Sequence, residues 1–293
     1  GVLNLVIGSG SEAGDEIINH PAVKAISFTG SNGVGIRLYE QASRRGAKVQ
    51  CEMGGKNPVV VLEDADMDLA VESTAQGAFG SSGQRCTATS RAIVVNEVAD
   101  EFVSRIAKRA ESLRIGAGSD PQTEMGPSVD EGQFKTVLGY IDIGREDGAT
   151  LVCGGSRATG DGLDKGYFVR PTVFDHVTPD MRIAREEIFG PVLSVVPFKD
   201  EAQAVEISNR VEYGLSGSIW TSNAERGLRV ARALDTGIIW VNSMLNGYPQ
   251  ISVPPHKMSG TGVELGMEGL MAYCKQKSLV IGYDSAAPVG WGL

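Results

Sequence analysis

Short apolar segments alternate with segments of helical periodicity along most of the 293-residue chain. This alternation constrains the fold strongly, because parallel strands must be joined by crossovers that are usually helical. In the helix predicted over residues 33–45, for example, Val34, Leu38 and Ala42 recur at a spacing of four and form one apolar face. The sequence therefore predicts an α/β fold built on parallel sheets.

The alternation falls into two stretches. In the first, residues 1–52, strands are predicted at 2–7, 23–28 and 48–52, and helices at 12–20 and 33–45. This is part of a doubly wound sheet, and because a strand begins almost at Gly1 we expect further strands to precede it. The second stretch begins near Asn57. Its predicted strands are 59–62, 92–95, 150–152, 192–196, 218–220 and 238–241, its predicted helices are 66–79, 102–113, 133–146, 200–209 and 224–234, and a last strand is predicted at 277–281.

Composition and charge exclude several classes of protein. Hydrophobic residues make up 42% and charged residues 22% of the chain, as in ordinary soluble globular proteins. The net charge is -9 and no basic residues cluster, which argues against nucleic acid or an anionic membrane as a partner. No apolar run approaches the roughly 18–20 residues that span a bilayer.

The four cysteines, Cys51, Cys86, Cys153 and Cys274, form no CxxC pair, and the three histidines are scattered. These spacings do not suit zinc, so we predict no metal site. In a long chain without a signal peptide the cysteines are interpreted as reduced thiols, which favours a cytoplasmic location.

Three polar segments interrupt the apolar pattern. Cys86 lies among small and polar residues in a loop that would expose it and lower its pKa toward the thiolate, although a buried structural cysteine is equally compatible. Glu52 ends a strand at the carboxyl edge of a sheet, where α/β enzymes bind ligands. Taken alone, a solvated carboxylate is the simpler interpretation of Glu52. Residues 186–191 place an acid and an aromatic side chain at a Gly-Pro turn, which alone would be an ordinary turn.

Together these segments resemble the aldehyde dehydrogenase superfamily, in its order and at similar spacing, over essentially the whole chain. The matching motifs are Phe28-Thr29-Gly30-Ser31, Glu52-Met53-Gly54-Gly55-Lys56-Asn57-Pro58, Gly83-Gln84-Arg85-Cys86, Glu187-Ile188-Phe189-Gly190-Pro191, Trp240-Val241-Asn242 and Lys257-Met258-Ser259-Gly260-Thr261-Gly262. Each motif alone is weak, but six in register make a chance match very improbable.

The resemblance implies oxidation of an aldehyde to a carboxylic acid. Cys86 would attack the carbonyl to give a thiohemiacetal, which loses hydride to the nicotinamide and becomes a thioester. Glu52 would be the general base for the water that releases the acid, and the backbone N–H of Cys86 would be one oxyanion donor. We expect Cys86 to be the one fast-reacting thiol.

The resemblance also implies a cofactor, NAD, with NADP as the alternative. Ser31, at a helix N-terminus, would meet the pyrophosphate. Glu187 would bind the ribose hydroxyls of the nicotinamide half, and Phe189 would pack beside its ring. Gln133 resembles a ribose contact, but a surface glutamine is an equal alternative. The remaining implied cofactor-site residues are Gly30, Val34, Met53 and Gly54.

The domain boundaries follow from the same resemblance. We predict the end of a cofactor-binding domain of Rossmann type at 1–52, a catalytic α/β domain at 53–255, and a return segment with an oligomerisation strand at 256–293. A terminal strand of this kind would pair with a partner subunit, so we predict a homodimer or homotetramer.

The chain departs from the family pattern at several places. The segments that bring the second oxyanion donor, an asparagine, and a cofactor-binding lysine would precede Gly1, so we expect this chain to be impaired in turnover. Two prolines, Pro254 and Pro255, replace glycines of an anchor loop, and Gly247 and Val253 are smaller than the usual aromatics, which indicates a wider aldehyde entrance. The segment Ser31-Asn32-Gly33-Val34-Gly35 has a glycine where a glutamate is common, so the start of that helix is less acidic.

Two alternatives remain open. A non-catalytic family member with a structural role is favoured by the late start but disfavoured by the presence of both Cys86 and Glu52. A relative that transfers the acyl group to coenzyme A is disfavoured by Glu52, which suits hydrolysis.

Overall fold

Two sheets of mainly parallel strands organise the chain, in a computed structural model that describes residues 1–282. The strands are β1 (Ala25–Thr29), β2 (Lys48–Glu52), β3 (Asn57–Val61), β4 (Thr89–Val95), β5 (Thr150–Cys153), β6 (Thr172–Asp175), β7 (Val192–Phe198), β8 (Tyr213–Gly214), β9 (Ser216–Trp220), β10 (Ile238–Val241), β11 (His256–Lys257) and β12 (Gly260–Thr261). The α-helices are α1 (Asp15–Asn19), α2 (Asn32–Ser43), α3 (Met67–Phe79), α4 (Asn96–Ser112), α5 (Glu131–Glu146), α6 (Arg182–Arg185), α7 (Glu201–Asn209), α8 (Ala224–Ala233) and α9 (Gly266–Ala272). This arrangement confirms the predicted α/β class.

The larger sheet has seven strands in the order β10-β9-β3-β4-β7-β6-β5. Its neighbours pair in parallel except for β5, which runs antiparallel to β6. The smaller sheet has the order β1-β2-β12, in which β1 and β2 are parallel and β12 is antiparallel. A third, two-stranded pairing joins β8 to β11.

Both faces of the larger sheet are buried. Val60 and Leu62 belong to one core cluster, whereas Val59 and Val61, which alternate with them along β3, belong to the other. Because helices cover both faces, the strand shows a continuous apolar run rather than an alternation of apolar and polar residues. This is why periodicity located the strand but could not assign its faces.

The two sheets meet at edges of opposite polarity. Glu52 is the last residue of β2, so it lies at the carboxyl edge of the smaller sheet. Asn57 begins β3, Cys86 lies shortly before β4, and Glu187 lies shortly before β7, so these three lie at the amino edge of the larger sheet. The fold therefore brings four separate segments of the chain to one junction.

Three local predictions are wrong. Residues 2–7 form no strand and their large apolar side chains are exposed. Residues 277–281 also form no strand. An extended apolar segment becomes a strand only when another backbone pairs with it, and no described segment does so. Val34, which was assigned to the buried face of α2, is exposed, while Leu38 and Ala42 are buried as predicted.

The remaining predicted strands and helices are present, with ends that differ by a few residues. The domain boundaries stay a prediction, and residues 283–293 of the predicted return segment lie outside the described residues. No helix within residues 1–282 combines the length and apolar character needed to cross a membrane.

Candidate active site

Glu52 is a buried carboxylate held by two neighbouring strands. Its Oε1 accepts a hydrogen bond from Nε2 of Gln50 at 3.1 Å. On the other side, Gly260 of β12 pairs with Glu52 and the backbone N–H of Met53 donates to the Ser259 carbonyl at 2.8 Å. Burial raises the pKa of Glu52 to about 7, and the charge of Glu264 adds to this rise. A carboxylate with this pKa can accept a proton from water near neutral pH.

Cys86 lies in a loop that is fixed to the first residue of β3. The Nδ2 atom of Asn57 donates to the carbonyls of Cys86 and Ala88, both at 2.8 Å, and its Oδ1 accepts from the Ser216 N–H at 3.1 Å. Asn57 is itself buried, so all these bonds are shielded from water. Two hydrogen bonds from the Asn57 side chain thus hold the loop that carries the thiol, and the third joins Asn57 to β9.

The Cys86 thiol is half-buried, and its pKa is raised rather than lowered. Burial is the largest cause, and the charges of Glu52 and Glu187 add to it, while the Thr87 backbone N–H acts in the opposite direction. The expected exposed thiol with a lowered pKa is therefore wrong for this structure, because burial disfavours the thiolate and the charges of two carboxylates add to this effect.

The other three thiols differ from Cys86 in how far they are buried. Cys51 and Cys153 are buried, whereas Cys274 is exposed. Burial raises the pKa of Cys51 and of Cys153, the latter to about 11. We therefore expect Cys51 and Cys153 to react slowly with alkylating reagents. Cys274 is exposed, so its accessibility does not distinguish it from Cys86 as a slower thiol.

Glu187 and Phe189 lie on one turn that faces the same junction. The Oε1 atom of Glu187 accepts a hydrogen bond from the Gly55 N–H at 2.9 Å, and burial raises the pKa of this carboxyl. Phe189 has a left-handed backbone, with φ of 56°. The Nε2 atom of Gln133 donates to the carbonyls of Ile188 and Phe189, both at 2.9 Å, and thus holds this unusual turn.

A cavity of about 500 Å³ joins most of the predicted site residues. Its lining is Thr29, Gly30, Ser31, Met53, Gly54, Gln84, Arg85, Cys86, Gln133, Thr136, Glu187, Ile188 and Phe189. Two predicted residues, Val34 and Glu52, are not part of this lining. Glu52 nonetheless acts on the Cys86 thiol through its charge, whereas Val34 projects from the surface of α2.

One end of the cavity is formed by the N-terminus of α2, a helix of 12 residues. Ser31 is its N-cap, but the Ser31 side chain makes no capping hydrogen bond, and the first turn contains no acidic residue. The free N–H groups and the helix dipole favour an anion at such a terminus.

Two functional features were missed from sequence. Lys56 is fully buried, its Nζ has no hydrogen-bond partner within the described residues, and burial and the charge of Arg91 lower its pKa to about 7. The role of Asn57 was missed as well. The available signal was the Lys-Asn pair between two glycines and an otherwise apolar strand. Burial of polar side chains at such positions is unfavourable, so their presence there indicates a structural or functional role.

Comparisons with known proteins agree on one family. The model of the aldehyde dehydrogenase family matches residues 1–279. Retinaldehyde dehydrogenase 3 of Rattus norvegicus is 43% identical over 289 residues, which cover 98% of this chain and 56% of that protein. Alpha-ketoglutarate semialdehyde dehydrogenase of Haloferax volcanii is 44% identical over 289 residues, with coverage of 97% and 59%.

Solved structures give the same result. The crystal structure of betaine aldehyde dehydrogenase from Staphylococcus aureus in complex with NAD+ is similar to this chain with a TM-score of 0.89 and 37% identity, and covers 91% of it. The chain spans 53% of that structure and between 56% and 59% of the two relatives, or about half of their length.

Proposed function

Because the chain belongs to the aldehyde dehydrogenase family, we propose that it oxidises an aldehyde to a carboxylic acid, with NAD+ as the hydride acceptor. The observation that carries the proposal is the location of Cys86 in one cavity with the uncapped N-terminus of α2 and the carboxylate of Glu187. A nucleophile, an anion site and a ribose-binding carboxylate thereby face the same space.

The residues present fit a nicotinamide dinucleotide. The N-terminus of α2 would hold the pyrophosphate through free backbone N–H groups, and a Cβ at Gly33 would meet open space, so an anion can approach the backbone there. Glu187 would accept hydrogen bonds from ribose hydroxyls, and Phe189 and Met53 would supply apolar contact. Bound NAD+ would supply the hydride acceptor. The solved relative in complex with NAD+ supports NAD as the cofactor, with NADP as the alternative.

The chemistry assigned to Cys86 balances in two steps. The Cys86 thiolate adds to the aldehyde carbon, and the new S–C bond places the negative charge on the former carbonyl oxygen. Loss of hydride from that carbon restores the C=O bond and leaves a thioester on Cys86. The backbone N–H of Cys86 is the proposed donor to the developing oxyanion.

Glu52 completes the cycle as the proposed base. Its carboxylate takes a proton from water, the hydroxide equivalent attacks the thioester, and the S–C bond breaks to regenerate the Cys86 thiolate and release the acid. A pKa of about 7 suits this role, because the carboxylate is then basic enough to accept the proton and sufficiently ionised at neutral pH. Glu264, whose charge raises this pKa, tunes the base.

We also propose that the protein is a homo-oligomer and that it is located in the cytoplasm. Leu279, Val280 and Ile281 are exposed and unpaired in the described chain, which supports pairing of this segment with a partner subunit in a homodimer or homotetramer. Four free cysteines support a reducing compartment such as the cytoplasm.

The proposed function is tested by trapping the thioester. The chain is incubated with an aldehyde, with or without NAD+, then quenched in acid and mapped by mass spectrometry. We expect an acyl group on the Cys86 peptide only when NAD+ is present, and none in the Cys86→Ser variant. An acyl group that forms without NAD+, or none at all across aliphatic, aromatic and carboxylated aldehydes, would refute the proposal.

A further inference from the structure

The chain contains two Asn-Gly pairs, Asn32-Gly33 and Asn246-Gly247. In such a pair the glycine has no side chain to hinder its backbone nitrogen, which can attack the amide carbon of the asparagine side chain. Attack requires that the side chain turn toward that nitrogen and that the backbone be free to adjust. The two pairs therefore share a reactive sequence, and the fold decides which of them reacts.

The Asn32 side chain is held at both ends of its amide group. Its Oδ1 accepts a hydrogen bond from the Gly54 N–H at 3.3 Å, and its Nδ2 donates to the Met258 carbonyl at 2.6 Å. Asn32 is also the first residue of α2, so the helix fixes its backbone. Both bonds reach distant segments and must break before the amide can turn, so this pair is protected from reaction.

Asn246 is exposed and lies in a loop without regular secondary structure. The hydrogen bond of its amide runs from Nδ2 to Oγ of Ser243 at 2.5 Å, and that partner belongs to the same loop and moves with it. Within residues 1–282 the Gly247 N–H has no acceptor, and a Cβ at Gly247 would meet open space. Leu245 has a left-handed backbone with φ of 59°, which is strained for a bulky residue. The loop therefore leaves the second pair free to react.

A hydrogen bond from Trp240 activates the peptide group that links Asn246 to Gly247. The Nε1 atom of Trp240, in β10, donates to the Asn246 carbonyl at 2.9 Å. When the Gly247 nitrogen loses its proton, negative charge spreads onto this same carbonyl oxygen. A donor directed at an oxygen that gains charge stabilises the charged form. Trp240 thereby favours formation of the attacking anion.

We propose that Asn246, activated by Trp240, is a site of spontaneous deamidation that yields aspartate and isoaspartate. The deprotonated Gly247 nitrogen bonds to Cγ of Asn246, the Cγ–Nδ2 bond breaks, and Nδ2 takes up a proton from solvent and leaves as ammonia. Water then opens the resulting succinimide ring at either carbonyl. One opening gives aspartate, and the other gives isoaspartate, in which the main chain runs through Cγ. The net change is gain of water and loss of ammonia.

The modification would alter a loop that reaches the strand following the Cys86 loop. Isoaspartate lengthens the main chain by one carbon atom, and both products add a negative charge. On the same loop, Sδ of Met244 accepts a hydrogen bond at 3.4 Å from Oγ1 of Thr89, the first residue of β4. The altered loop therefore packs close to the proposed active site. The reaction itself requires neither cofactor nor aldehyde, so it is independent of the proposed oxidation.

The test follows both asparagines in one sample of the unaltered protein. The full chain is kept at mildly alkaline pH, digested in acid at intervals and mapped by mass spectrometry. We expect Asn246 to deamidate about 10- to 100-fold faster than Asn32, the factor expected when two hydrogen bonds must break before reaction. In urea the two rates should converge, because each asparagine precedes a glycine. Equal rates in the folded protein, or no deamidation of Asn246, would overturn the proposal.

The product and the role of Trp240 are tested separately. Isoaspartate is identified by methyl transfer from S-adenosylmethionine with an isoaspartyl methyltransferase, and the methylated peptide should contain position 246. Gly247→Ala adds a side chain in open space and should remove most of this signal. Trp240→Phe keeps the aromatic ring but removes the donor, and should slow deamidation about 2- to 10-fold, as expected for one hydrogen bond. An unchanged or faster rate in Trp240→Phe would overturn the activating role of Trp240.

Discussion

The Oε1 atom of Glu187 accepts a hydrogen bond from the backbone N–H of Gly55 at 2.9 Å. The two residues are separated by 132 positions, and Glu187 lines the cavity that contains Cys86. The neighbouring Gly54 has no side chain, and a Cβ added there would overlap the Glu187 carboxylate. Glycine is thus required at position 54 by the close approach of a functional side chain, not by its backbone conformation.

We predict that Gly54→Ala displaces Glu187 without unfolding the protein. The atom that must move is the end of a flexible side chain, so the melting temperature should change little. Loss of the proposed contact between Glu187 and the ribose should weaken NAD+ binding about 10-fold, as expected for about 1.4 kcal/mol in one charge-assisted hydrogen bond. Calorimetric titration with NAD+ measures this.

The control is Gly139→Ala on α5, where a Cβ meets open space. This variant should keep full NAD+ affinity and be slightly more stable, since alanine favours a helix. Equal NAD+ affinity in the two alanine variants would show that Glu187 does not contact the cofactor.

A second prediction concerns Asn57, which holds the loop that carries Cys86. In Asn57→Ala the carbonyls of Cys86 and Ala88 and the N–H of Ser216 lose their partner in a buried place. We expect a loss of about 2–4 kcal/mol in the free energy of unfolding, since each unsatisfied buried group costs about 1–3 kcal/mol and water can enter to replace part of it. Urea unfolding measures the loss.

Asn246→Ala is the matched control, because Asn246 is exposed and its side chain bonds only to nearby Ser243. It should change stability by less than about 0.5 kcal/mol. A loss as small as this in Asn57→Ala would mean that the loop is held by other contacts.

The part of the fold that the sequence predicted correctly is the part determined by apolar spacing within a single segment. The helix α5 and the strand β4 were located from sequence because apolar spacing within one segment determines them. Residues 2–7 and 277–281 have equally apolar patterns but form no strand, because pairing depends on a second backbone that sequence spacing does not reveal.

In the candidate site, too, local motifs were predictable from sequence, whereas contacts between distant segments were not. Cys86 and Glu52 were recognised because a thiol and a carboxylate in glycine-rich surroundings form part of recognisable motifs. The burial of Arg91 was not predictable, because it depends on distant carbonyls, those of Ile207 and Ser208, that accept hydrogen bonds from its guanidinium. The raised pKa of Cys86 likewise depends on carboxylates from two other segments.

A third prediction concerns the pH dependence of the pair formed by Glu52 and Cys86. Glu52 has a pKa of about 7, so its carboxylate is protonated below that pH and ionised above it. Release of the acid from the Cys86 thioester needs the ionised form, and its rate should therefore rise as the pH increases through about 7. Single-turnover measurements of acid release across pH 5–9 test this.

Glu52→Gln should act on the two steps in opposite directions. Removal of the base should slow acid release about 10²–10⁴-fold and cause the thioester to accumulate. The Cys86 thiol should ionise at a lower pH, because burial still raises its pKa but one of the two carboxylate charges that add to the rise is gone. Alkylation of Cys86 should consequently reach half its maximal rate at a lower pH than in the parent. An unchanged rate of acid release would show that Glu52 is not the base.

We predict that Gln133 positions the turn that carries Phe189, a role that neither of the two sequence interpretations included. The Nε2 amide group of Gln133 donates to the carbonyls of Ile188 and Phe189. Phe189 itself has a left-handed backbone, so these bonds hold the residue at which the turn is strained. A non-glycine residue with positive φ needs such support. Gln133→Leu keeps a similar volume but removes both donors, so the turn should relax. We expect weaker NAD+ binding with little change in Cys86 alkylation.

Gln133→Glu distinguishes this role from a direct ribose contact, because a carboxylate could still accept a bond from a ribose hydroxyl but cannot donate to the two carbonyls. If Gln133→Glu binds NAD+ as tightly as the parent, Gln133 contacts the cofactor itself. If it binds as weakly as Gln133→Leu, the two hydrogen bonds to the turn are what matter.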